Sequence, residues 1–280
     1  MSLAGNGQGD TGHTEAEWKD MRVQVLASVM NEEPMALLGR MGLESDAVII
    51  NQCDRLGSEE IAYRGHQVRF FSFPDRGVGR SRNEAILRAD GDICLFSDAD
   101  IVYEPGYAEK IAAEFERNRD ADMILFNVTV EEERRTYHIT ERRRVRWYNC
   151  GRYGAVSFAV RRESLLSSGV TFSLLFGGGA RYGSGEDSLF LKEFMDKGYK
   201  VYAAPVTIGR ETAGESTWFS GYDEKFFRDK GVLYRYLYGR MAPAMALRFL
   251  LAHRDKLCAE VSLGQAFRWM KDGEERQGKG

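Results

Sequence analysis

The chain has 280 residues, 43% of them hydrophobic, which is enough apolar material for one large domain or two small ones. Its formal charge of −3 excludes the global basic field behind sequence-independent nucleic-acid binding, so any anion site has to be local. The four cysteines, Cys53, Cys94, Cys150 and Cys258, form no CxxC pair, which argues against a zinc cluster or a dense disulfide framework and points to a reducing, cytoplasmic setting.

Residues 1–19 are rich in Gly, Asn, Gln and Thr, with neither a basic leader nor an apolar run, and read as a disordered tail. No apolar stretch approaches the roughly 20 residues needed to cross a bilayer, so the expectation is a soluble or at most peripheral protein. Short runs rich in Val, Ile and Phe at 23–30, 47–50, 68–73, 93–96 and 123–126 read as strands. Helix-spaced apolar residues fall between them, at 34–41, 81–89 and 106–117. This alternation predicts an α/β fold, with an open, mostly parallel, Rossmann-like sheet flanked by helices. Ligands of such sheets sit beyond the carboxyl ends of the strands, which singles out Asn31, Asn51, residues 74–79 and residues 98–100.

A charged stretch at 131–146 breaks the rhythm. A strand at 155–160, a glycine-rich loop at 177–185, a helix at 188–197 and a strand at 200–203 follow as a second half on the same sheet. The domain is placed at 20–215, and 216–280 is read as a C-terminal helical extension, aromatic between 226 and 254. That aromatic tail and the arginines of 142–146 leave three readings open: core, the surface of a homodimer, or a basic amphipathic surface at the inner face of a membrane.

Three segments carry candidate chemistry. The run 93–96 ends in Asp98 and Asp100, hard oxygen ligands at a strand mouth that suit Mg²⁺ or Mn²⁺ beside a diphosphate. Glu186 and Asp187 open a helix, where one carboxylate could act as a general base or both could simply favour the positive end of the helix dipole. Ahead of both in the chain, between a strand and a helix, residues 75–83 contain Gly77, Gly79, Arg82 and Asn83, a loop whose backbone can approach a ligand closely and whose arginines can pair with phosphate. Each has a plain structural reading as a turn, a cap or a solvated loop. The loop is neither a dinucleotide fingerprint, since Arg82 replaces the third glycine, nor a P-loop. No HExxH or GxSxG is present, which disfavours zinc and serine hydrolases.

In this order, the block from Gly77 through Asp100, and then Gly185, Glu186 and Asp187 followed by a helix and Pro205, resemble family 2 glycosyltransferases of GT-A fold over about residues 23–204. Looser likeness at 26–31, 49–54, 176–180 and 216–219 is to bacterial surface-polysaccharide transferases. The resemblance implies inverting, Mn²⁺- or Mg²⁺-dependent transfer from a nucleotide-sugar donor, UDP-type favoured, to a glycan or lipid-linked acceptor. It implies Asp100 as metal ligand, Asp98 at the metal or ribose, Arg82 near the nucleotide and Asp187 as base, with Glu186 the neighbouring candidate. Ser28, Asn31, Asn51, Gln52, Gly77, Gly79, Asn83 and Trp218 fall at donor-binding positions. Two departures stand out: Asn51, Gln52, Cys53 and Asp54 replace the acidic end of the second strand, and no histidine lies between Pro205 and Trp218 to serve as a third metal ligand, leaving Glu211 as a substitute. A sugar-nucleotide nucleotidyltransferase is the rival enzyme, but residues 28–34 lack the glycine and basic loop it needs. Intact Asp98, Asp100, Glu186 and Asp187 count against a non-catalytic binding module.

Overall fold

A computed structural model describes residues 21–130, 137–212, 221–258 and 261–276, the last with side chains to 274. The tail at 1–19, the arginines at 134–135, and Trp218 with the likeness at 216–219 therefore lie outside the described residues.

The first half follows the predicted alternation. Strand β1 (Val23–Met30) is buried at every residue but the last, as a strand covered on both faces must be. Helix α1 (Pro34–Met41) begins with proline, is capped by the Glu33 carboxylate, and stops where Gly42 turns left-handed at φ 63°. Then come β2 (Asp46–Gln52), β3 (Gly57–Tyr63), β4 (His66–Phe73), α2 (Val78–Ile86), β5 (Ile93–Asp98), β6 (Ile101–Tyr103), α3 (Tyr107–Arg117) and β7 (Met123–Thr129). The second half adds β8 (Arg143–Arg144), β9 (Phe158–Arg161), α4 (Arg162–Ser168), α5 (Glu186–Asp196) and β10 (Val201–Glu211).

All ten strands join one sheet in the order β3-β4-β2-β1-β5-β9-β7-β10-β6, with β8 also on β10. The run β4-β2-β1-β5 is parallel, and so is the β7–β10 pair. Antiparallel β9 joins these two parts, and β3 closes the opposite edge antiparallel to β4. The sheet is thus mixed, with its parallel part where the strand-helix alternation is regular.

Two apolar layers sandwich the sheet. Along β1, Val25, Ala27 and Val29 face the layer under α1 and α3, where they meet Leu37, Leu38, Ile111 and Phe115. Leu26 points the other way, toward Ile86, Phe96, Phe190 and Phe194 under α2 and α5. Elements without apolar periodicity went unpredicted. Strand β3 is largely exposed and is held by its hairpin, whose Arg64 and Gly65 both have positive φ, and β6 is only three residues long.

The C-terminal part is helical: α6 (Glu224–Tyr238), α7 (Ala242–Ala252), α8 (Arg254–Leu257) and α9 (Leu263–Arg276). It has its own apolar centre around Phe227, Ala246, Leu250, Ala266 and Met270. Gly231 lets α6 and α9 touch through their backbones, since a Cβ there would sit 1.9 Å from the Met270 carbonyl oxygen. The opposite side of α6 packs Val232, Leu233 and Leu237 on Phe176 and Tyr182 of the glycine-rich loop. No helix among the described residues is long and apolar enough to cross a membrane.

Candidate active site

The parallel register gathers the carboxyl ends of three strands. Ser28 lies opposite Asp98, and Val29 and Met30 lie opposite Asn51 and Gln52. Asn31 then leaves β1 at φ 54°, its N–H donating to the Gln52 carbonyl at 3.1 Å. Beyond these ends opens a cleft lined by Asn31, Glu32, Glu33, Asn51, Cys53, Asp54 and Arg55.

The amides expected to read the donor are occupied by the chain itself. Asn51 accepts from the Glu32 N–H at 3.0 Å and donates to the Glu32 carbonyl at 3.1 Å. Gln52 accepts from the Gly77 N–H at 2.7 Å and donates to Ser28 Oγ at 3.4 Å. Asn83 clamps the backbone of Phe172, donating to its carbonyl at 2.9 Å and accepting from its N–H at 2.8 Å. Through these bonds the three residues brace the loops around the site. Gly79 has a similar task, because a Cβ there would fall 2.4 Å from the Ser173 carbonyl oxygen.

Arg82 is the hub. Its Nη2 donates to both Asp98 oxygens at 3.0 and 3.1 Å, and its Nη1 donates to Glu186 Oε1 at 2.9 Å. Only 4% exposed, it lies over the Phe172 ring at 5.2 Å. Burial alone would lower its pKa, yet Asp98, Glu186 and Asp187 more than reverse this and hold it above the ordinary value. Without a ligand, the charge of Arg82 is shared among carboxylates inside the protein. Two acidic motifs far apart in sequence meet on this one side chain.

The second acidic motif divides its labour. Glu186 takes Arg82 on one oxygen and the Gly185 N–H, at 3.1 Å, on the other. Gly177 makes room for it, since a Cβ there would come within 2.8 Å of the Glu186 carboxyl carbon. Asp187 uses Oδ1 on the Ser188 N–H at 2.6 Å, while its Oδ2 has no hydrogen-bond partner among the described residues and faces Gly154, whose Cβ position lies 3.8 Å away. Burial, and then the Glu186 charge, push the Asp187 carboxyl up from 3.8 to about 6, against the opposing pull of Arg82, the Ser188 N–H and Lys230.

Lys230 is a charge that the sequence reading missed. Helix α6 brings it in: Asp229 accepts from the Gly183 N–H at 3.3 Å, and Leu233 packs where a Cβ on Gly185 would lie 2.6 Å from it. Burial lowers the Lys230 pKa, and Asp187, Glu186 and Asp229 offset part of that. No local motif could have flagged it, because it lies more than forty residues beyond the acidic pair.

Asp98 and Asp100 stand at the mouth of β5, Asp98 35% exposed despite its pairing with Arg82. Glu211 pairs in register with Ile101, and Thr212 donates to the Asp100 carbonyl at 2.8 Å, so β10 runs beside the motif. Among the described residues no three His, Cys, Asp or Glu side chains converge as a self-sufficient metal site. Two carboxylates completed by substrate phosphates are nonetheless the usual donor set for Mg²⁺, so Asp98 and Asp100 fit such an ion when it arrives with a phosphorylated ligand.

Residues 22–169, more than half of the chain, match the sequence profile described as glycosyl transferase family 2. Among solved structures, Staphylococcus aureus TarS (residues 1–349) in complex with UDP-GlcNAc aligns with a TM-score of 0.58 at 14% identity, covering 92% of each chain. A mannosyltransferase from Pyrobaculum calidifontis in complex with GDP-Man and Mn²⁺ aligns with a TM-score of 0.51 at 14% identity, covering 95% of this chain and 81% of that one. Likeness at this level of identity is likeness of fold. No curated protein matches the chain.

Proposed function

The chain belongs to glycosyl transferase family 2, and from that premise we propose that it moves a sugar from a nucleoside diphosphate, UDP-type favoured, to a hydroxyl of a glycan or lipid-linked acceptor with inversion at the anomeric carbon. The observation that carries this reading is the Asp98–Arg82–Glu186 chain of ion pairs, which ties a diphosphate-side acid motif to Glu186, whose neighbour Asp187 is a half-buried carboxylate with one oxygen to spare.

The nucleoside end of the donor enters the cleft beyond β1 and β2, and the diphosphate lies toward Asp98 and Asp100. A divalent ion held there by Asp98 and Asp100 would neutralise charge on the departing diphosphate. Asp187 Oδ2 takes the proton from the acceptor hydroxyl as its oxygen attacks the anomeric carbon and the bond to the diphosphate breaks. A carboxyl with a pKa of about 6 suits this task, being ionised at neutral pH yet basic enough to accept a proton. Glu186, bonded on both oxygens, holds Arg82 and the turn instead of serving as base. Binding of Asp98 to a metal would draw it away from Arg82, so donor arrival and the electrostatics of the acid pair are linked through one guanidinium.

Incubation with a panel of UDP-, GDP- and dTDP-sugars, with and without Mn²⁺, tests the proposal through release of nucleoside diphosphate. Release from one donor class, enhanced by the metal, is expected. Release from none, together with no thermal stabilisation by any nucleoside diphosphate, would overturn it, because a ligand at about a hundredfold its Kd adds about 2.7 kcal/mol.

A further inference from the structure

One side of the C-terminal helices keeps large apolar groups in the open. Leu247 and Leu251 lie one turn apart on α7, 40% and 58% exposed, and Met241 just before the helix is 51% exposed. The inner face of the same helix, Ala246 and Leu250, already fills the helical core, so the outer stripe is not needed to hold the bundle together. Trp147 and Tyr148, 42% and 47% exposed, lie alongside. Arg248 donates to the Tyr148 carbonyl at 3.4 Å, and the Trp147 ring is 6.2 Å from that of Tyr238.

Exposed cations adjoin these residues in the chain: Arg146 precedes Trp147, Arg240 precedes Met241, Arg248 follows Leu247, and Arg254 comes three residues after Leu251, with Asp255 its acidic neighbour. An aliphatic stripe, aromatic side chains with polar tips and adjoining cations are what the interface of an anionic bilayer selects. A second copy of the chain is a poorer occupant. A two-fold contact through the stripe would set these arginines against their own copies.

We infer that α7, with Trp147 and Tyr148, docks this protein on an anionic phospholipid surface. The chain from Tyr148 then leads within six residues to Gly154, beside Asp187 Oδ2. A sugar carried on a lipid would thus be presented close to the base. That last step rests on the transferase reading, whereas the docking does not.

Co-sedimentation of the full chain with vesicles, of phosphatidylcholine alone or mixed with phosphatidylglycerol, separates the two questions. Binding to the mixed vesicles at about 0.05 M salt, and its loss at about 0.5 M, is expected, because screening shortens the reach of the arginines. The pair L247S and L251S should weaken partitioning roughly tenfold or more, and the pair R240E and R254E at least fivefold per charge. Unchanged melting temperatures would show that both variants fold. Absence of binding to mixed vesicles at low salt would overturn the inference, as would equal binding to neutral vesicles. So would a dimer in sedimentation velocity that the leucine substitutions dissociate, which would assign the stripe to a second copy. Failure of sugar transfer with vesicle binding intact would count against the transferase reading alone.

Discussion

Replacing Asp187 by Asn should do two opposite things at once. The amide keeps the shape of the carboxylate and can still accept from the Ser188 N–H, but it cannot take a proton. Turnover should fall by about 10²- to 10⁴-fold, the range of general-base catalysis. Stability should rise, because burial and Glu186 lift the Asp187 carboxyl from 3.8 to about 6, which means the folded protein disfavours its charge. At about 1.36 kcal/mol per pKa unit the ceiling is about 3 kcal/mol, and partial exposure brings it to roughly 1–3 kcal/mol. At roughly 2 °C per kcal/mol for a chain of this size, the melting temperature should increase by about 2–6 °C. The pH dependence has a fixed sign. A carboxyl with a raised folded pKa contributes stability that is complete below about 3.8 and is lost as pH rises through about 6. The advantage of Asp187→Asn should therefore be near zero at pH 3.8 and below, and saturate above about pH 6. Thermal melts of both proteins across this range, beside rates of nucleoside diphosphate release at pH 7.5, provide the check. An Asn variant that is less stable at pH 7.5, or an advantage independent of pH, would refute the electrostatic argument. Near-native turnover would remove Asp187 as base.

Glu186→Gln should instead cost stability, because it strips one partner from a buried arginine. Arg82→Ala should be worse, destabilising by about 3–5 kcal/mol in chemical denaturation, since Asp98, Glu186 and Asp187 would be left without their common cation; a loss under 1 kcal/mol would mean that the ion pairs are not needed to hold the two motifs together. Asp100→Ala should abolish metal-dependent donor affinity in calorimetry while circular dichroism stays unchanged, and metal-enhanced binding that survives would reduce the Asp98 and Asp100 motif to a turn. Lys230→Met should shift the acid limb of the kcat/KM profile to higher pH, because Lys230 favours the charged form of Asp187; an unmoved limb with lowered stability would leave Lys230 a purely structural role.

Much of the frame is legible in local pattern. Strand 23–30 and helix 34–41 coincide with β1 and α1, because an apolar run of β-branched residues and a proline-started, glycine-stopped helix are encoded within a few residues. Strand β3 is not legible in the sequence because only Ile61 and Tyr63 are even partly buried, and it exists by pairing with β4. The antiparallel insertion of β9 between β5 and β7 was equally invisible, since strand order depends on which apolar faces find each other and not on any run by itself.

The acidic motifs Asp98, Asp100, Glu186 and Asp187 were legible as residue types at a strand mouth and a helix start. Sequence alone also supplied the family resemblance and the glycines that the turns require. Only the tertiary structure decided how those groups share charge. Asn51, Gln52 and Asn83 became braces because backbone groups beside them needed partners. Arg82 became an ion-pair hub because three carboxylates surround it where water is excluded. The difference between Glu186 and Asp187, adjacent in sequence and alike in chemistry, comes from long-range neighbours: Arg82 from α2 binds one, and Gly154 leaves an oxygen open on the other. Electrostatic roles depend on distance in space and on burial, and neither is written in the order of the residues.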